Sequence, residues 1–155
     1  KVDFVEEKKH LGTASSLQFL KRKINKPFIV TNCDIIIDID YKDLYDFHNK
    51  NNYDITLVAS TKQYKIPYGT CDLDDNGQLY RILEKPKYDL LINTGLYIIN
   101  PSVLKIIPKN KIYHMTNLIK DIKKQHKKIG VYPIDDSSWV DVGQWNEYQK
   151  IVKRF

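Results

Sequence analysis

Cysteine is scarce in this chain of 155 residues, which contains only Cys33 and Cys71. Two cysteines form neither a disulfide framework nor a zinc site, and we expect both to be reduced thiols of a cytoplasmic protein. The four histidines show no metal-ligand spacing such as His-x-x-x-His. No stretch approaches roughly 18 consecutive apolar residues and no signal-peptide pattern opens the sequence, which predicts a protein without a membrane partner.

The remaining composition is that of an ordinary globular protein, with 42% apolar and 28% charged residues. A length of 155 residues fits one domain, residues 1–155, with a sizeable core. The net charge is +6, but the lysines are scattered along the sequence and their runs fall on predicted helix faces. We therefore expect no nucleic-acid partner, although the positive field favours anionic substrates.

Apolar periodicity predicts strands that alternate with helices. Strands are predicted at residues 2–7, 27–34, 53–61, 91–101 and 129–134, and helices at residues 14–24, 41–50, 102–107, 115–128 and 144–155. Asp40 stands where it would cap the second helix. This alternation predicts an α/β fold with a mixed, mostly parallel sheet and flanking helices. Asn76-Gly77 predicts a type I′ turn in an inserted β-hairpin over residues 70–86.

Ligands of such sheets bind beyond the carboxyl ends of the strands, and five short stretches fall at predicted strand ends or in the loops nearby. They are LGTA (11–14), TNCD (31–34), YG (68–69), EKP (84–86) together with NTG (93–95), and WVDVG (139–143). Each stretch alone has a purely structural explanation, as a helix cap, a turn or a strand end. Taken together, they predict one ligand site.

Two carboxylates of these stretches, Asp34 and Asp141, each follow an apolar run. Brought together they would repel unless a cation neutralised them, and Mg²⁺ is bound by one or two carboxylates together with substrate phosphates. Lys85 offers a point charge for a phosphate, and Glu84 beside it can accept hydrogen bonds from sugar hydroxyls. Gly12 permits close approach of a ligand, and a helix that begins after it offers free N–H groups to a base or phosphate.

In this order and at these spacings, the motifs LGTA, N-x-D, YG, EKP, N-x-G and W-x-D-x-G resemble those of the sugar-1-phosphate nucleotidyltransferases. The resemblance extends from Val2 to about Ile151, and phrases such as PFIVTNCD and WVDVGQWNEY are most similar to the mannose-1-phosphate guanylyltransferase-like members. It implies a GT-A-like, Rossmann-related fold. It also implies transfer of a nucleotidyl group from a nucleoside triphosphate to a sugar 1-phosphate, with release of pyrophosphate. The implied product is a nucleotide sugar, in particular a GDP-sugar for surface-polysaccharide or glycoconjugate synthesis.

The resemblance further implies a role for each matching residue. Asp34 and Asp141 would hold Mg²⁺ between the phosphates, and Lys85 would bind the sugar 1-phosphate. Two groups of residues would contact the organic parts of the substrates: the nucleotide against Leu11, Gly12, Thr13 and Ala14, and the sugar against Gly69, Glu84, Lys85, Asn93 and Gly95. Trp139 either packs near the sugar or anchors the last strand, and we expect the anchoring role.

The chain lacks the Gly-rich loop G-G-x-G-T-R, followed by a Pro-Lys pair, with which such enzymes begin. We therefore expect a fold that is incomplete at its N-terminus, namely the C-terminal two-thirds of a nucleotidyltransferase domain without its first βαβ portion. Such a chain alone would be inactive, because charge stabilisation at the phosphates would be lost. It would need the missing segment, a second chain or a homo-oligomer to cover an unpaired strand edge. The alternative is a non-catalytic regulatory module that binds nucleotide sugars.

Overall fold

The computed structural model of the chain describes residues 2–7 and 9–143. Within these ranges it has eight strands: β1 Phe28–Thr31, β2 Ile35–Ile37, β3 Ile55–Lys65, β4 Thr70–Leu73, β5 Leu79–Leu83, β6 Lys87–Ile99, β7 Ile129–Ile134 and β8 Trp139–Asp141. The α-helices are α1 Tyr41–Lys50 and α2 Met115–Lys124, and the 3₁₀ helices are Ser15–Leu20, Pro101–Ile106 and Asp136–Ser138. No helix in the described part of the chain is long and apolar enough to cross a bilayer.

The central sheet has the strand order β1-β6-β3-β7. Strand β6 is antiparallel to both of its neighbours, whereas β3 and β7 are parallel. Three of the four strands, β1, β3 and β7, therefore run in the same direction, which confirms the predicted mixed, mostly parallel α/β sheet. Two antiparallel pairs, β2–β8 and β4–β5, lie outside this sheet, and the second is the predicted hairpin.

Each face of the sheet is covered by its own apolar cluster. Alternate residues of β6 point to opposite faces, so that Tyr97 and Ile99 belong to one cluster and Leu96 and Ile98 to the other. The first cluster includes the apolar side of α2 with Met115, Leu118 and Ile122, and the second includes Leu44 of α1. The sheet is thus the middle layer between helices, as the alternating sequence predicts.

The helix starts follow from local hydrogen bonding. The Asp40 carboxylate accepts hydrogen bonds from Lys42 N at 2.7 Å and Asp43 N at 3.2 Å, which confirms the predicted cap of α1. Helix α2 begins at the predicted residue but ends four residues early, at Lys124. It ends there because His126 takes a left-handed backbone conformation with φ of 54°, which an α-helix cannot continue.

Two predicted elements near the start of the chain are wrong. Residues 2–7 form neither strand nor helix, and Val2 and Phe4 remain 77% and 92% exposed. An alternating pattern gives no strand there because no described strand pairs with this segment. The helix predicted at 14–24 is only a short 3₁₀ turn, since Ala14 provides no side-chain cap and Arg22 turns to a φ of 67°.

The predicted hairpin is confirmed, but its predicted turn type is wrong. Gly77 N donates to Asp74 O at 3.0 Å, and Asp74 N donates to Gln78 O at 2.9 Å. Gly77 has a φ of 80°, whereas Asn76 keeps an ordinary negative φ. A type I′ turn would require a positive φ at both residues. The helix predicted at 144–155 lies outside the described residues.

Candidate functional site

A cavity of about 330 Å³ lies where the ends of β1, β2 and β8 meet the middle of β6. Four of its lining residues have a predicted ligand or metal contact: Asp34, Asn93, Gly95 and Asp141. Its other lining residues were not predicted from the sequence as ligand contacts: Asn32, Ile35, Ile92, Thr94, Tyr97 and Trp139. The cavity is therefore built from three regions that are far apart in the chain.

The pairing of β2 with β8 brings the two carboxylates together. In this antiparallel pair Ile35 lies opposite Asp141, the last residue of β8. One residue beyond each strand, Val142 N donates to the main-chain oxygen of Asp34 at 2.9 Å. Asp34 and Asp141 therefore stand at the same end of one short ribbon.

Gly143 leaves a small space between the two carboxylates. A Cβ at this position would lie 2.9 Å from Asp34 Oδ2 and 3.2 Å from Asp141 Oδ1. Gly143 N also donates to Asp141 Oδ1 at 3.0 Å. Two carboxylate oxygens around one point are a donor set that fits a divalent cation such as Mg²⁺.

A cation at this point would need further ligands. Among the described residues, no group of three or more His, Cys, Asp or Glu side chains could hold a metal ion. Mg²⁺ sites with one or two carboxylates are normally completed by water and substrate phosphates. The arrangement is therefore suited to a cation that binds together with a phosphorylated ligand.

Gly95 brings β6 close to the end of β1. Asn32 N donates to Gly95 O at 3.1 Å, and a Cβ on Gly95 would lie 2.7 Å from Asn32 Nδ2. Gly95 also has a φ of 91°, a conformation that residues with a side chain rarely adopt. Only glycine satisfies both requirements, so that the Asn32 amide can lie at the cavity wall.

Asn93 and Tyr97 form a hydrogen-bonded pair at the cavity. Asn93 Nδ2 donates to the Tyr97 hydroxyl at 2.7 Å, and Asn93 Oδ1 accepts from Gly95 N at 3.4 Å. Tyr97 is only 4% exposed, and this burial raises the pKa of its phenol. The hydroxyl therefore stays protonated and, because it accepts from Asn93, keeps its own proton for a ligand.

Trp139 lies at the border between the core and the cavity. Its ring packs against the apolar cluster beside α1, and the same residue lines the cavity. Its indole Nε1 is buried and has no hydrogen-bond partner among the described residues. Lys62 Nζ lies 6.0 Å from the centre of the ring, at the outer limit of a cation–π contact.

The predicted sugar-contacting residues of the hairpin region form a separate, exposed group. Lys85 Nζ lies 3.8 Å from Glu84 Oε1, and a Cβ on Gly69 would lie 3.2 Å from Glu84 Oε2. Gly69 is therefore a neighbour of the consecutive residues Glu84 and Lys85, from which it is separated in sequence. None of the three lines the cavity that contains the carboxylates.

The predicted nucleotide loop is fixed to the start of α2. Tyr113 N donates to Leu11 O at 2.7 Å, and Ala14 N donates to Tyr113 O at 3.1 Å. Gly12 has a φ of 99°, and a Cβ there would lie 2.8 Å from Tyr113 O. Thr13 Oγ1 accepts from Met115 N at 3.1 Å and so satisfies a free N–H of the helix.

This loop does not line the carboxylate cavity either. Leu11 borders another cavity, of about 600 Å³, whose wall includes Glu6, Lys9 and Phe19. Although larger, that cavity contains none of the other residues predicted for the ligand site, so volume alone does not make it the better candidate. The described structure thus holds three groups of predicted residues: the cavity, the hairpin group and the nucleotide loop.

For Tyr97, one of the cavity residues that were not predicted, the sequence does contain a signal. Asn93, Gly95 and Tyr97 follow at intervals of two on β6, so that a strand places them on one face. That alternation would have added Tyr97 to the predicted site. Asn32 and Thr94 stand within the stretches TNCD and NTG, but the sequence predicted no ligand contact for either.

Sequence comparison assigns the chain to a family. A family model described as "Nucleotidyl transferase" matches residues 1–154. Mannose-1-phosphate guanylyltransferase catalytic subunit beta of Drosophila melanogaster is 31% identical over 151 residues, which are 94% of this chain and 40% of that protein. Mannose-1-phosphate guanyltransferase of Yarrowia lipolytica is 32% identical over 155 residues, 95% of this chain and 42% of that protein. The chain therefore spans about two-fifths of the length of these curated relatives.

Solved structures agree on the fold. HddC from Yersinia pseudotuberculosis superimposes with a TM-score of 0.68 at 24% identity, covering 100% of this chain and 67% of that one. A putative glucose-1-phosphate thymidylyltransferase from Bacillus anthracis gives a TM-score of 0.65 at 17% identity, covering 92% of this chain and 61% of that one. The resemblance inferred from the motifs is confirmed: this chain belongs to the nucleotidyl transferase family.

Proposed function

We propose that the protein containing this chain transfers a nucleotidyl group from a nucleoside triphosphate to a sugar 1-phosphate, forming an NDP-sugar and pyrophosphate. The observation that carries the proposal is the pair of carboxylates, Asp34 and Asp141, around the space at Gly143. Membership of the nucleotidyl transferase family supports the reaction class. Because similar proteins are named mannose-1-phosphate guanylyltransferases, GTP and mannose 1-phosphate are the first substrates to test.

Asp34 and Asp141 are the residues proposed to hold Mg²⁺. When bound, Mg²⁺ would neutralise phosphate charge and orient the two substrates' phosphates. The carboxylates by themselves would repel phosphates, so that substrate binding and cation binding should depend on each other. Among the described residues, no third His, Cys, Asp or Glu joins Asp34 and Asp141 in a metal-binding group. Phosphate oxygens of the substrates would therefore have to complete the ligand set of the cation.

The proposed reaction needs no nucleophile from the protein. A phosphate oxygen of the sugar 1-phosphate is already anionic near neutral pH and attacks the α-phosphorus of the nucleotide. The bond between the α-phosphorus and the bridging oxygen breaks, and pyrophosphate leaves with the electron pair. The protein's contribution is positioning and stabilisation of the developing charge, with Lys85 as the proposed cation for the sugar phosphate.

The remaining predicted residues are proposed to bind the organic parts of the substrates. Asn93 and Gly95 line the cavity beside the carboxylates, and the Tyr97 hydroxyl next to them offers a proton to a sugar oxygen. Glu84 would accept hydrogen bonds from sugar hydroxyls. The loop from Leu11 to Ala14 would contact the nucleotide base, and Thr13 is its exposed residue, whereas Gly12 packs against Tyr113 O.

The cytoplasm is the proposed site of action. Both cysteines are free and exposed, an arrangement that suits a reducing compartment.

The test is release of pyrophosphate by the full-length protein, with GTP, ATP, UTP and dTTP each combined with mannose 1-phosphate and glucose 1-phosphate. We expect activity that requires a divalent cation and falls by a factor of at least about 100 in Asp34→Asn and in Asp141→Asn. Asp38→Asn is the matched control, because Asp38 is a nearby exposed aspartate outside the cavity lining. Its rate should stay within about twofold of the wild-type rate.

Two results would contradict the proposal. Unchanged rates in both carboxylate variants would remove the metal assignment. Tight binding of a nucleotide sugar without pyrophosphate release from any substrate pair would favour the non-catalytic regulatory module instead.

A further inference from the structure

Two long segments of the sequence have a net positive charge because they contain no acidic residues. These segments are residues 8–33 and 90–120, and the shorter stretches 55–71 and 122–134 likewise contain no Asp or Glu. Ten of the 25 basic residues fall in the two long segments: Lys8, Lys9, Lys21, Arg22, Lys23, Lys26, Lys105, Lys109, Lys111 and Lys120. The rest of the chain has an excess of acidic residues, so that these two segments account for the whole net charge of +6.

The fold packs these two segments against each other. Lys21 Nζ donates to the main-chain oxygen of Ile107 at 2.9 Å, and Ser15 Oγ donates to Lys111 O at 3.2 Å. The 3₁₀ helices Ser15–Leu20 and Pro101–Ile106 are in direct contact. Two basic segments that are far apart in sequence therefore lie side by side and form a basic surface, which Glu6 and Glu7 interrupt near Phe19 and Asn110.

A cleft of about 330 Å³ lies on this surface, between the ends of the two 3₁₀ helices. Half of its wall is cationic and half is apolar: Lys21, Arg22 and Lys105, and Ile24, Pro101 and Leu104. Within residues 2–7 and 9–143, no carboxylate lines the cleft and none of the three cations forms an ion pair. Three cations around a concave space repel one another and raise the local positive potential, which an anion would relieve.

Lys21 has an anchored side chain, and Arg22 has an unusual backbone conformation. Lys21 is half-buried and anchored through Ile107 O, which leaves further N–H donors of its ammonium group available. Arg22 has a φ of 67°, the left-handed region, although it is not glycine. This conformation costs about 1 kcal/mol or more, and it places Arg22 at the rim of the cleft.

The cleft is separate from the carboxylate cavity. Strands β1 and β6 pair from Phe28 opposite Ile99 to Thr31 opposite Leu96. Ile24 and Pro101 lie beyond the first end of this pair, whereas the cavity residues Asn32 and Gly95 lie beyond the second. The two sites therefore lie beyond opposite ends of the β1–β6 pair, and the length of β1, about 10 Å, separates them.

We infer that this cleft is a second ligand site, which binds the phosphoryl group of a small organic phosphate. Lys21, Arg22 and Lys105 contact the phosphate, and Arg22 offers the forked donors that suit its oxygens. The apolar half of the wall contacts the organic part of the ligand. The volume lies within the range of small-molecule pockets and exceeds what a bare phosphate ion fills.

The test is a titration of the ¹⁵N-labelled full-length protein, without divalent cations, with adenosine 5′-monophosphate and with inorganic phosphate in separate arms. We expect saturable shifts of the amide signals of Arg22, Ile24 and Lys105 in both arms, with tighter binding of adenosine 5′-monophosphate. Shifts confined to Asn32, Gly95 and their neighbours, or none at all, would overturn the inference. Equal affinity for both probes would overturn the assignment of an organic ligand.

Charge-removing variants distinguish ligand binding in the cleft from a general electrostatic attraction to the basic surface. Arg22→Gln with Lys105→Gln removes two positive charges from the cleft, and Lys109→Gln with Lys120→Gln removes two from the same basic surface outside it. We expect the first pair to weaken binding of adenosine 5′-monophosphate at least tenfold and the second pair less than threefold. Equal weakening by both pairs would show a diffuse field without a site. All four side chains are exposed, so that folding should be unaffected.

Discussion

Strand β6 has two halves in different environments. From Thr94 to Ile99 it is buried and covered by both apolar clusters. Its last three residues pair with β3 on one side, and its last four pair with β1 on the other. From Lys87 to Leu91 it is exposed and pairs with β3 alone in a two-stranded ribbon. The β4–β5 hairpin continues this exposed region, and Leu73, Tyr80 and Ile82 on it are 63–79% exposed.

This difference separates the proposed site residues into two classes. Those of the cavity lie where the buried half of β6 begins, and core packing and strand register fix their positions. Those of the hairpin group, Gly69, Glu84 and Lys85, depend on an exposed hairpin with little packing of its own. We therefore expect the cavity to be preformed, and the hairpin group to contribute through contact with the ligand.

The largest expected effect is on the free energy of unfolding, when one leucine of the core and one of the hairpin are each replaced by alanine. Leu96 is 1% exposed in the core beside α1, and Leu79 of the hairpin is 60% exposed. Leu96→Ala should lower the free energy of unfolding by about 3 kcal/mol, because it removes buried apolar area and leaves a void. Leu79→Ala should change it by less than about 0.5 kcal/mol. Urea denaturation of both variants measures the difference, and equal losses would mean that the hairpin is packed as tightly as the core.

The next effect compares two glycines that both have a positive φ. Gly95 in β6 has a φ of 91° and meets Asn32, whereas Gly77 in the hairpin turn has a φ of 80° with open space around it. Gly77→Ala should cost about 1 kcal/mol from the backbone conformation alone. Gly95→Ala should cost roughly 2 kcal/mol or more, because the new methyl group also displaces the Asn32 amide. A smaller cost at Gly95 than at Gly77 in urea denaturation would show that Asn32 is not held in place.

The smallest effect is a pH dependence that belongs to the buried region. His48 on α1 is 1% exposed, and its Nδ1 lies 2.8 Å from Thr56 Oγ1 of β3. Burial lowers the pKa of His48 below its ordinary value of 6.5, although the nearby Asp54 partly opposes this. The unfolded chain then binds a proton more readily than the folded one, so that stability falls as the pH drops below 6.5.

A substitution of His48 tests whether this side chain causes the pH dependence of stability. The free energy of unfolding of the wild type should decrease between pH 6.5 and pH 5.5, and that of His48→Gln should decrease less over the same interval. The hairpin at residues 66–86 contains no histidine and offers no equivalent group. Parallel curves for wild type and variant would contradict the assignment.

Most of the fold follows from local patterns in the sequence. The Asp40 cap, the apolar face of α2 and the strands around Ile55 and Ile98 depend on neighbouring residues, and all were predicted correctly. The strand predicted at 2–7 failed for a different reason, because a strand needs a partner as well as a pattern. The turn at Asp74–Gln78 shows that an Asn-Gly pair predicts a hairpin better than it predicts the turn type.

The site was predictable only in part, because it too depends on pairing between segments that are distant in sequence. Asp34 and Asp141 stood out because a carboxylate after an apolar run is unusual on its own. The register that places Ile35 opposite Asp141 is a long-range property, which one sequence does not reveal. The sequence singles out the stretches that contain Asn32 and Thr94, but the pairing of β1 with β6 that brings both to the cavity is again a long-range property.

The proposed reaction depends most on a cation between Asp34 and Asp141. Anomalous diffraction from a crystal of the full-length protein with Mn²⁺ and a non-hydrolysable nucleoside triphosphate locates such a cation directly, since Mn²⁺ accepts the same oxygen ligands as Mg²⁺. We predict one strong anomalous peak beside Gly143, within about 2.5 Å of an oxygen of Asp34 and of Asp141. A peak bound by neither carboxylate, or none in a crystal with the nucleotide in place, would contradict the account.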